Sequence, residues 1–299
     1  MAQLYLQDKL PLLAWGDAGY VYKVTDYIIL KRSITENDPR TKNENSVFDL
    51  LERHPTCPDI VRSFLRLPDS NFMQLLPGGT LEARLQARQT RDPETWRVIK
   101  VEGEEPRHLI ARWMAELSNG AAWLESLCFA HGDIRPPNLL LDSDDHLKLA
   151  DFDNTARIGE EVDVGTAPYA RLLGTEAGED RGRFGFLGAR TEQFAIGSVY
   201  YYLTRGYEPY DNEWYGKDHG PVTVDMLQRM EFPATQMGSE DDAIIRKCWH
   251  GEFGSLEELA ASLRLLDRKA SRAKPMAADL FRARQGECRK LVADGLLRF

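Results

Sequence analysis

Three oxygen-bearing side chains near the middle of the chain could act together on a phosphate group. Asp133 and Asn138 lie in the run His131-Gly132-Asp133-Ile134-Arg135-Pro136-Pro137-Asn138, and Asp151 follows thirteen positions later. A carboxylate can orient a hydroxyl group and accept its proton, while carboxylate and amide oxygens suit a hard cation such as Mg²⁺. Arg135 adds a guanidinium that can bind phosphate through two hydrogen bonds. Phosphoryl transfer is one prediction; a purely structural turn, capped by Asp133 and tied by Asn138, is the alternative.

This run and the later Asp151-Phe152-Asp153 also match a known pattern. Together they resemble the catalytic loop and the metal motif of the eukaryotic-type protein kinase superfamily. The resemblance implies that Asp133 is the catalytic carboxylate and that Arg135 faces the transferred phosphate. It implies further that Asn138 and Asp151 bind Mg²⁺, or alternatively Mn²⁺, and that ATP is the phosphate donor.

The amino-terminal part of the chain resembles the same family. Gly16-Asp17-Ala18-Gly19-Tyr20-Val21 is similar to the later part of the glycine-rich phosphate loop, with Ala14 in place of its first glycine. Lys31 ends the next predicted strand, as the family's phosphate-binding lysine does. Glu44 is its expected ion-pair partner, with Glu52 as the rival. A plain hairpin and a solvated lysine are the structural alternatives.

A third segment resembles the kinase hinge, where backbone groups meet the adenine ring. It is the strand Phe72-Met73-Gln74-Leu75-Leu76, which is closed by Pro77-Gly78-Gly79. The resemblance puts Met73 at the back of the pocket, although a generic strand and turn would have the same pattern. The residues that the resemblance implies around the nucleotide are Gly16, Gly19, Val21, Lys31, Met73, Gln74, Leu75 and Leu140.

Segments further along the chain resemble the parts of a kinase that receive the substrate. Gly165-Thr166-Ala167-Pro168-Tyr169 is similar to the loop that binds the peptide. Glu192-Gln193-Phe194-Ala195-Ile196-Gly197 is similar to the segment that braces the catalytic loop, and Tyr207-Glu208-Pro209-Tyr210 follows it as a P-[FY] turn does. The resemblance thus extends from about residue 12 to about residue 265.

The chain departs from the family pattern at several positions. Asp153 replaces the glycine of D-F-G, which removes a flexible backbone position and adds a carboxylate beside Asp151. Gly132 replaces the arginine that pairs with a phosphorylated activation loop, so control through that contact is not expected. Arg171-Leu172-Leu173 stands where A-P-E should follow, and the usual arginine after Trp249 is missing. The buried ion pair between these two places is therefore expected to be absent as a unit.

Three functions remain open at this point. The first is an ATP- and Mg²⁺-dependent protein kinase, directed to Ser or Thr because Arg135-Pro136-Pro137-Asn138 is closer to that form of the loop than to the tyrosine form. The second is a pseudokinase that acts as a nucleotide-binding or scaffold module, which Asp153 favours. The third is a small-molecule kinase of the aminoglycoside phosphotransferase type, against which the 165–169 and 192–197 segments count.

The elements that must position these residues follow from hydrophobic periodicity and from the resemblance. Short strands are predicted at 12–13, 20–24, 27–31, 60–65, 71–76, 138–141 and 146–150, and a helix is predicted from Glu44. Residues 91–105 are predicted to be a polar loop. Helices are predicted at 81–89, 106–129, 192–204, 222–231, 240–249, 255–266 and 275–296, and the helix at 106–129 has one apolar face, namely Leu109, Trp113, Leu117, Ala121 and Leu124.

The predicted fold is α+β and bilobal. A β-rich nucleotide-binding lobe at residues 1–76, with a small antiparallel sheet and one main helix, precedes a mostly helical catalytic lobe at 77–270 and a C-terminal helical extension at 271–299. This arrangement follows from the resemblance, and a chain of 299 residues exceeds the usual size of a single hydrophobic core.

Composition excludes several classes of protein. A net charge of −9 and a pI near 5.3 argue against nucleic-acid and membrane-surface binding, because both need a clustered positive field. The four cysteines form no CxxC pair, so reduced thiols are expected. The sequence shows neither a signal peptide nor a transmembrane segment. An intracellular protein, cytoplasmic or nuclear, is expected, with ATP and a protein substrate as partners.

Overall fold

The computed structural model describes residues 10–16, 19–266 and 272–297. The amino terminus before Leu10 and the glycine-loop residues Asp17 and Ala18 lie outside the described residues. The predicted domain boundary at residue 270 lies outside them as well. None of the described helices is long and apolar enough to cross a membrane.

The chain divides into two compact units, each of which is discontinuous in sequence. The first contains Met1–Pro77, Ala150–Thr155 and Ala273–Phe299, and the second contains Gly78–Leu149 and Ala156–Arg272. The short segment around Asp151 and the carboxyl-terminal tail therefore belong with the amino-terminal residues.

Strands and helices alternate with short connections through most of the described chain. The strands are β1 (Leu12–Gly16), β2 (Gly19–Lys23), β3 (Ile28–Arg32), β4 (Ser63–Leu67), β5 (Ser70–Gln74), β6 (Gly79–Thr80), β7 (Gln89–Arg91), β8 (Val98–Val101), β9 (Phe129–Ala130), β10 (Leu139–Leu141), β11 (Leu147–Leu149) and β12 (Ala156–Arg157). The α-helices are α1 (Pro39–Leu51), α2 (Leu81–Gln86), α3 (Arg107–Ser126), α4 (Ala189–Arg205), α5 (His219–Gln228), α6 (Glu240–His250), α7 (Leu256–Leu266) and α8 (Ala278–Ala293).

The first unit is built on an antiparallel sheet in the order β1-β2-β3-β5-β4. Because side chains alternate between the faces of a strand, β3 presents Ile28 and Leu30 on one face and Lys31 on the other. Ile28 and Leu30 are completely buried. One strand thus contributes to the hydrophobic core and also places the lysine that the resemblance assigns to phosphate binding.

The helix α1 begins earlier than predicted. Its cap is Asp38, whose side chain accepts a hydrogen bond from the Arg40 N–H, and Pro39 occupies the first turn, where no N–H is needed. The prediction placed the start at Glu44 because apolar spacing becomes visible only from Val47. As a result Glu44 lies inside the helix, where its side chain is held on a rigid element.

The strand β4 also differs from its prediction. It covers Ser63–Leu67, whereas apolar residues predicted a strand at 60–65. Ile60 and Val61 are buried all the same, with exposures of 5% and 2%, in a largely irregular segment. Apolar side chains indicate that a segment is buried, but a buried segment need not be a strand.

The carboxyl-terminal helix α8 covers the apolar face of this sheet. Cys288 on α8 is completely buried in one cluster with Tyr22, Leu30 and Phe72. The ring of Phe281 lies 5.8 Å from that of Phe64 on β4, measured between centroids. Residues 276–297 therefore supply part of the hydrophobic core of the first unit.

The second unit is mostly helical. The helix α3 packs against α7, and α4 packs against α6. The predicted apolar face of α3, from Leu109 to Leu124, is buried. At Gly197 on α4 an added Cβ would lie 2.6 Å from the Cβ of Cys248, so glycine allows α6 to approach closely. The α+β fold, with a small sheet in one unit and helices in the other, is the fold that was predicted.

The predicted polar loop at 91–105 is wrong in part, because it contains a hairpin. The strands β7 and β8 pair, and their turn is held by Asp92, whose Oδ1 accepts from the N–H groups of Glu94 and Thr95. The N–H of Val98 also donates to the carbonyl of Asp211, at 2.8 Å. Strands this short lack the alternation on which a sequence prediction depends.

Candidate active site

Lys31 lies between two carboxylates in the first unit. Its Nζ is 3.1 Å from Glu44 Oε1 and 2.5 Å from Asp151 Oδ1. The rival partner Glu52 instead pairs with Arg66 at 2.6 Å. The ion pair between Lys31 and Glu44 that the sequence predicted is therefore present, and a second carboxylate, that of Asp151, joins it.

Burial and charge act on Lys31 in opposite directions. Burial lowers the pKa of its ammonium group, but the charges of Glu44 and Asp151 outweigh burial and raise the pKa above its ordinary value. The Glu44 side chain is 1% exposed, whereas that of Asp151 is 34% exposed. Lys31 thus carries a permanent positive charge, with one buried counter-charge and one that solvent can reach.

The segment Asp151-Phe152-Asp153 is tied to the helix α1. The amide of Phe152 donates to Glu44 Oε1 at 3.3 Å, and the Phe152 ring meets the edge of Phe48 with centroids 5.2 Å apart. Asp151 itself has a φ of 68°, in the left-handed region that side-chain-bearing residues seldom adopt. The α1 contacts and this backbone conformation together direct the Asp151 carboxylate to Lys31.

The sequence did not predict one further side chain that holds this segment, that of Asn43 on α1. Its Nδ2 donates to the carbonyl oxygens of Asp153 and Thr155, at 2.9 Å each. No motif marks Asn43, because its partners are backbone groups more than 100 positions away in sequence. Its position immediately before Glu44 was the one available signal.

The glycine-rich loop is described only at its two ends. Gly16 and Gly19 face each other where β1 meets β2. Gly19 has a φ of 148°, and an added Cβ would lie 2.1 Å from the carbonyl oxygen of Arg32, so no other residue fits without movement. Val21 pairs with Lys31 across β2 and β3. Val21 and Lys31, both predicted to contact the nucleotide, are thus neighbours on adjacent strands.

The predicted hinge residues lie at the end of β5. Met73 is 4% exposed and pairs with Ile29 on β3. The N–H of Gln74 donates to the Arg62 carbonyl at 2.8 Å, and the N–H of Leu75 donates to the Tyr27 carbonyl at 2.9 Å. Both N–H groups donate inside the unit. What these two residues can offer a nucleotide is therefore their carbonyl oxygens, as acceptors, and the Gln74 side chain.

In the second unit, Asp133 is held by two neighbours on its own loop. Arg135 Nε donates to both carboxylate oxygens, at 3.0 and 2.9 Å. Asn138 Nδ2 donates to Asp133 Oδ2 at 2.8 Å and to its carbonyl oxygen at 2.9 Å. The three predicted loop residues are therefore brought together, and the Asp133 carboxylate has a fixed orientation beside a positive charge.

Glu192 on α4 holds the same loop through hydrogen bonds with its backbone. Its two carboxylate oxygens accept from the amides of His131 and Gly132, at 2.8 and 3.2 Å. The pKa of Glu192 is raised to about 7, mainly by burial; the charge of Asp133 contributes to this rise, and the two hydrogen bonds oppose it. This bracing contact is the one that the sequence predicted for the 192–197 segment.

The predicted substrate loop lies beside Asp133 in the second unit. One cavity has Asp133, Thr166, Tyr169 and Glu192 among its lining residues. Arg171, in the segment that stands where A-P-E would be, pairs with Glu176 at 2.8 Å. The cavity next to the Asp133 carboxylate is thus lined in part by the predicted substrate loop, through Thr166 and Tyr169.

The remaining predicted residue, Leu140, lies on β10 and pairs with Lys148 on β11 and Thr80 on β6. The described residues include no group of three or more His, Cys, Asp or Glu side chains that could hold a metal ion. Mg²⁺ needs no such group, because one or two protein oxygens and the phosphates of its ligand commonly complete its shell. The partly exposed Asp151 carboxylate and the amide oxygen of Asn138 are donors of that kind.

Comparison with known proteins identifies the family. The protein kinase domain model matches residues 15–253. Maternal embryonic leucine zipper kinase of Xenopus laevis is 27% identical over 201 residues, which are 64% of this chain and 27% of that protein. Rho-associated protein kinase 1 of Homo sapiens is 26% identical over 211 residues, 66% of this chain and 14% of that protein.

A third relative, serine/threonine-protein kinase MRCK alpha of Mus musculus, is 27% identical over 157 residues, 50% of this chain and 9% of that protein. The chain thus matches between 9% and 27% of the lengths of these three relatives. The family model, in contrast, covers most of the chain, and the α+β fold agrees with it. The chain belongs to the protein kinase domain family.

Proposed function

We propose that this protein is an ATP- and Mg²⁺-dependent kinase that transfers the γ-phosphate of ATP to a Ser or Thr hydroxyl of a protein. The observation that carries the proposal is the position of Lys31, with Glu44 on one side at 3.1 Å and Asp151 on the other at 2.5 Å. A buried lysine held by two carboxylates offers a fixed positive charge to a phosphate, and one of those carboxylates remains accessible to a metal ion.

Each loop residue has a task in this proposal. Asp133, held by Arg135 and Asn138, orients the attacking hydroxyl and accepts its proton. The guanidinium of Arg135 is proposed to face the transferred phosphate. Asn138 and Asp151 are each proposed as oxygen donors to Mg²⁺, whose charge would offset that of the phosphate oxygens. The other residues proposed to contact the nucleotide are Gly16, Gly19, Val21, Met73, Gln74, Leu75 and Leu140.

Two observations support the choice of Ser or Thr. The Arg135-Pro136-Pro137-Asn138 run is closer to the Ser/Thr form of the loop, and one relative carries serine/threonine-protein kinase in its name. The nucleotide is assigned to the 1–76 lobe and catalysis to the 77–270 lobe, with 271–299 as an extension.

A pseudokinase is the second candidate, and two observations favour it. Asp153 places an extra carboxylate next to Asp151, and Asp151 is already engaged by Lys31. The ion pair with Lys31 competes with a metal ion for the Asp151 carboxylate, and a side-chain-bearing residue at position 153 removes the backbone flexibility of the family's glycine. Such a protein would bind nucleotide without turning it over.

The test is phosphate transfer from labelled ATP by the purified chain, with Mg²⁺ or Mn²⁺, to itself and to general protein substrates. We expect transfer by the unchanged protein and a reduction of at least about a hundredfold in Asp133→Ala, because a positioned general base contributes on that scale. The matched control is Asp144→Ala in the exposed turn between β10 and β11, which should retain activity.

The outcomes separate the candidates. Nucleotide binding in a thermal shift assay without transfer by the unchanged protein would establish the pseudokinase and contradict the enzyme. Transfer to aminosugars but not to proteins would contradict the protein substrate. Equal transfer by the unchanged protein and Asp133→Ala would remove Asp133 from the mechanism.

A further inference from the structure

We infer that Asn43 is a positioning residue, which holds the Asp151-Phe152-Asp153 segment in the arrangement that the metal site requires. The inference rests on the proposed function, since it assigns Asn43 to the same site. It starts from an unusual use of a side chain: a single amide group binds two backbone carbonyls of a segment that follows it by more than 100 residues.

The geometry accounts for both hydrogens of the Asn43 amide. Nδ2 lies 2.9 Å from the carbonyl oxygen of Asp153 and 2.9 Å from that of Thr155. These are full-strength distances for N–H donors. Thr155 is 1% exposed, so its carbonyl belongs to a buried residue. The chain on the far side of Asp151 is thus fixed at two points by one side chain.

The segment has a reason to need such support. Asp151 is held in the left-handed region, with a φ of 68°, and a side-chain-bearing residue stays there only when its surroundings impose that conformation. The Phe152 amide contributes one contact with Glu44, at a long 3.3 Å. Asn43 reaches past Phe152 and anchors the two carbonyls beyond it.

The same helix therefore fixes three parts of the site. Glu44 accepts from Lys31, Phe48 packs on Phe152, and Asn43 holds Asp153 and Thr155. All of these α1 side chains lie within six residues of one another on the helix. The Asn43 contacts thus tie the Asp153 and Thr155 carbonyls to the helix that also carries Glu44.

The Asn43 contacts also bear on Asp153, which stands where the family has a glycine. A carbonyl bound by Asn43 cannot rotate freely, and a side chain at position 153 further restricts the backbone. Both changes favour one arrangement of the segment. In this protein Asn43 holds the carbonyl groups of Asp153 and Thr155 in place.

The inference can be tested with an isosteric change, Asn43→Asp. This change replaces the amide donor by a carboxylate facing two carbonyl oxygens, so both hydrogen bonds are lost and repulsion replaces them. We expect amide hydrogen exchange at residues 151–155 to accelerate about tenfold or more, the scale of one or two lost hydrogen bonds. This measurement needs no nucleotide.

A second readout addresses the metal. In Asn43→Asp the Mg²⁺ concentration that gives half-maximal ATP binding should rise severalfold, and kcat should fall more than the KM for ATP changes. The matched control is Asn45→Ala, two positions away on α1, whose Nδ2 donates to the Leu67 carbonyl at 2.9 Å. It loses a comparable hydrogen bond but no contact with the 151–155 segment, so neither readout should move.

Each result decides between claims. Unchanged exchange at 151–155 in Asn43→Asp, or the same acceleration in Asn45→Ala, overturns the inference. Accelerated exchange with an unaltered Mg²⁺ dependence overturns the positioning role and leaves only a structural contact. If the unchanged protein binds no nucleotide, the proposed function fails, and exchange still shows whether Asn43 holds the segment.

Discussion

Lys31 has two partners that differ in their access to water. Glu44 is almost completely buried, whereas about a third of the Asp151 side chain is exposed. A buried carboxylate that loses its counter-charge is costly, because the interior solvates it poorly. Asp151 can recover hydration if the lysine is removed, and Glu44 cannot. The Lys31 ammonium therefore stabilises the unit through Glu44 and serves the site through Asp151.

This asymmetry makes the effects of Lys31→Met separable. We expect the substitution to abolish measurable ATP binding and to lower the free energy of unfolding by about 2–4 kcal/mol, since it leaves Glu44 buried without a cation. The double variant Lys31→Met/Glu44→Gln should recover most of that stability and none of the ATP binding. Urea denaturation and nucleotide titration measure the two effects.

The control for this prediction is Lys23→Met on the neighbouring strand. Lys23 pairs with Asp26 at the surface, and exposed pairs contribute little. Stability and ATP binding should both stay close to those of the unchanged protein. If Lys31→Met binds ATP normally, the assignment of the phosphate-binding lysine is wrong; if the double variant is as unstable as the single one, Glu44 is not the source of the instability.

At the residue scale the sequence predicted what is local or follows a known order of motifs. The order of strand, lysine and helix was enough to propose Lys31 and Glu44, and the loop spacing brought Asp133, Arg135 and Asn138 together. Asn43 was not predictable, because its partners are carbonyl groups, which every residue has, and only the folded chain brings them within reach.

The helix α8 contributes to the first unit what the sheet cannot supply alone. One face of the sheet is apolar, and Tyr22, Ile28, Leu30, Phe64 and Phe72 on it are at most 2% exposed. Two arginines also stack on aromatic rings here, Arg62 on Phe281 at 4.4 Å and Arg284 on Tyr27 at 4.0 Å. Without α8 a large apolar surface would face water.

We therefore expect Phe281→Ala to lower the free energy of unfolding of the first unit by about 2 kcal/mol. The value is below that for a fully buried phenylalanine because Phe281 is only partly buried. Amide hydrogen exchange of β2, β3 and β5 in increasing urea measures the change in the first unit itself. Because Leu30 and Lys31 are neighbours on β3, weaker ATP binding should accompany it.

The exposed Arg282→Ala, one residue along α8, is the matched control and should change stability by less than about 0.5 kcal/mol. A chain ending at Arg272 should lose the cooperative unfolding of the first unit. Full stability of that shortened chain would show that α8 is dispensable and would contradict its place in the core.

At the element scale the prediction was incomplete in three places, each for its own reason. A helix was predicted at 275–296, but nothing in its sequence says which surface its apolar side covers. The start of α1 was missed although Asp38-Pro39 is a cap signal, because apolar spacing was given more weight. The β7–β8 hairpin was missed because its strands are too short to show a period.

Over the whole molecule, two buried carboxyl groups make stability depend on pH. The pKa values of Glu192 and Glu208 are both raised to about 7, mainly by burial. At Glu208 the charge of Asp211 contributes to this rise, and a hydrogen bond from the Tyr169 hydroxyl, at 2.8 Å, opposes it. In the unfolded chain the ordinary value is near 4.5. Between these values the folded protein holds protons that the unfolded chain has released.

The sign of the effect follows from this difference in bound protons. A raised pKa in the folded state contributes stability that is fully present below pH 4.5 and is lost as the pH rises through 7. Each group contributes about 2–3 kcal/mol across that window. We expect Glu208→Gln, which keeps an acceptor for Tyr169, to remove its share, so that the fall in stability between pH 5 and pH 8 becomes less steep.

Urea denaturation at several pH values compares the unchanged protein, Glu208→Gln and the exposed Glu252→Gln, which removes the same formal charge from the surface. Because surface charge is solvated in both states, Glu252→Gln should leave the slope unaltered, while Glu208→Gln should be the more stable protein at pH 8. An equal slope in all three would mean that Glu208 is ionised in the folded protein, so that solvent or a cation reaches it beside Tyr169. That result would assign the pH dependence of stability to Glu192, which accepts hydrogen bonds from the amides of His131 and Gly132.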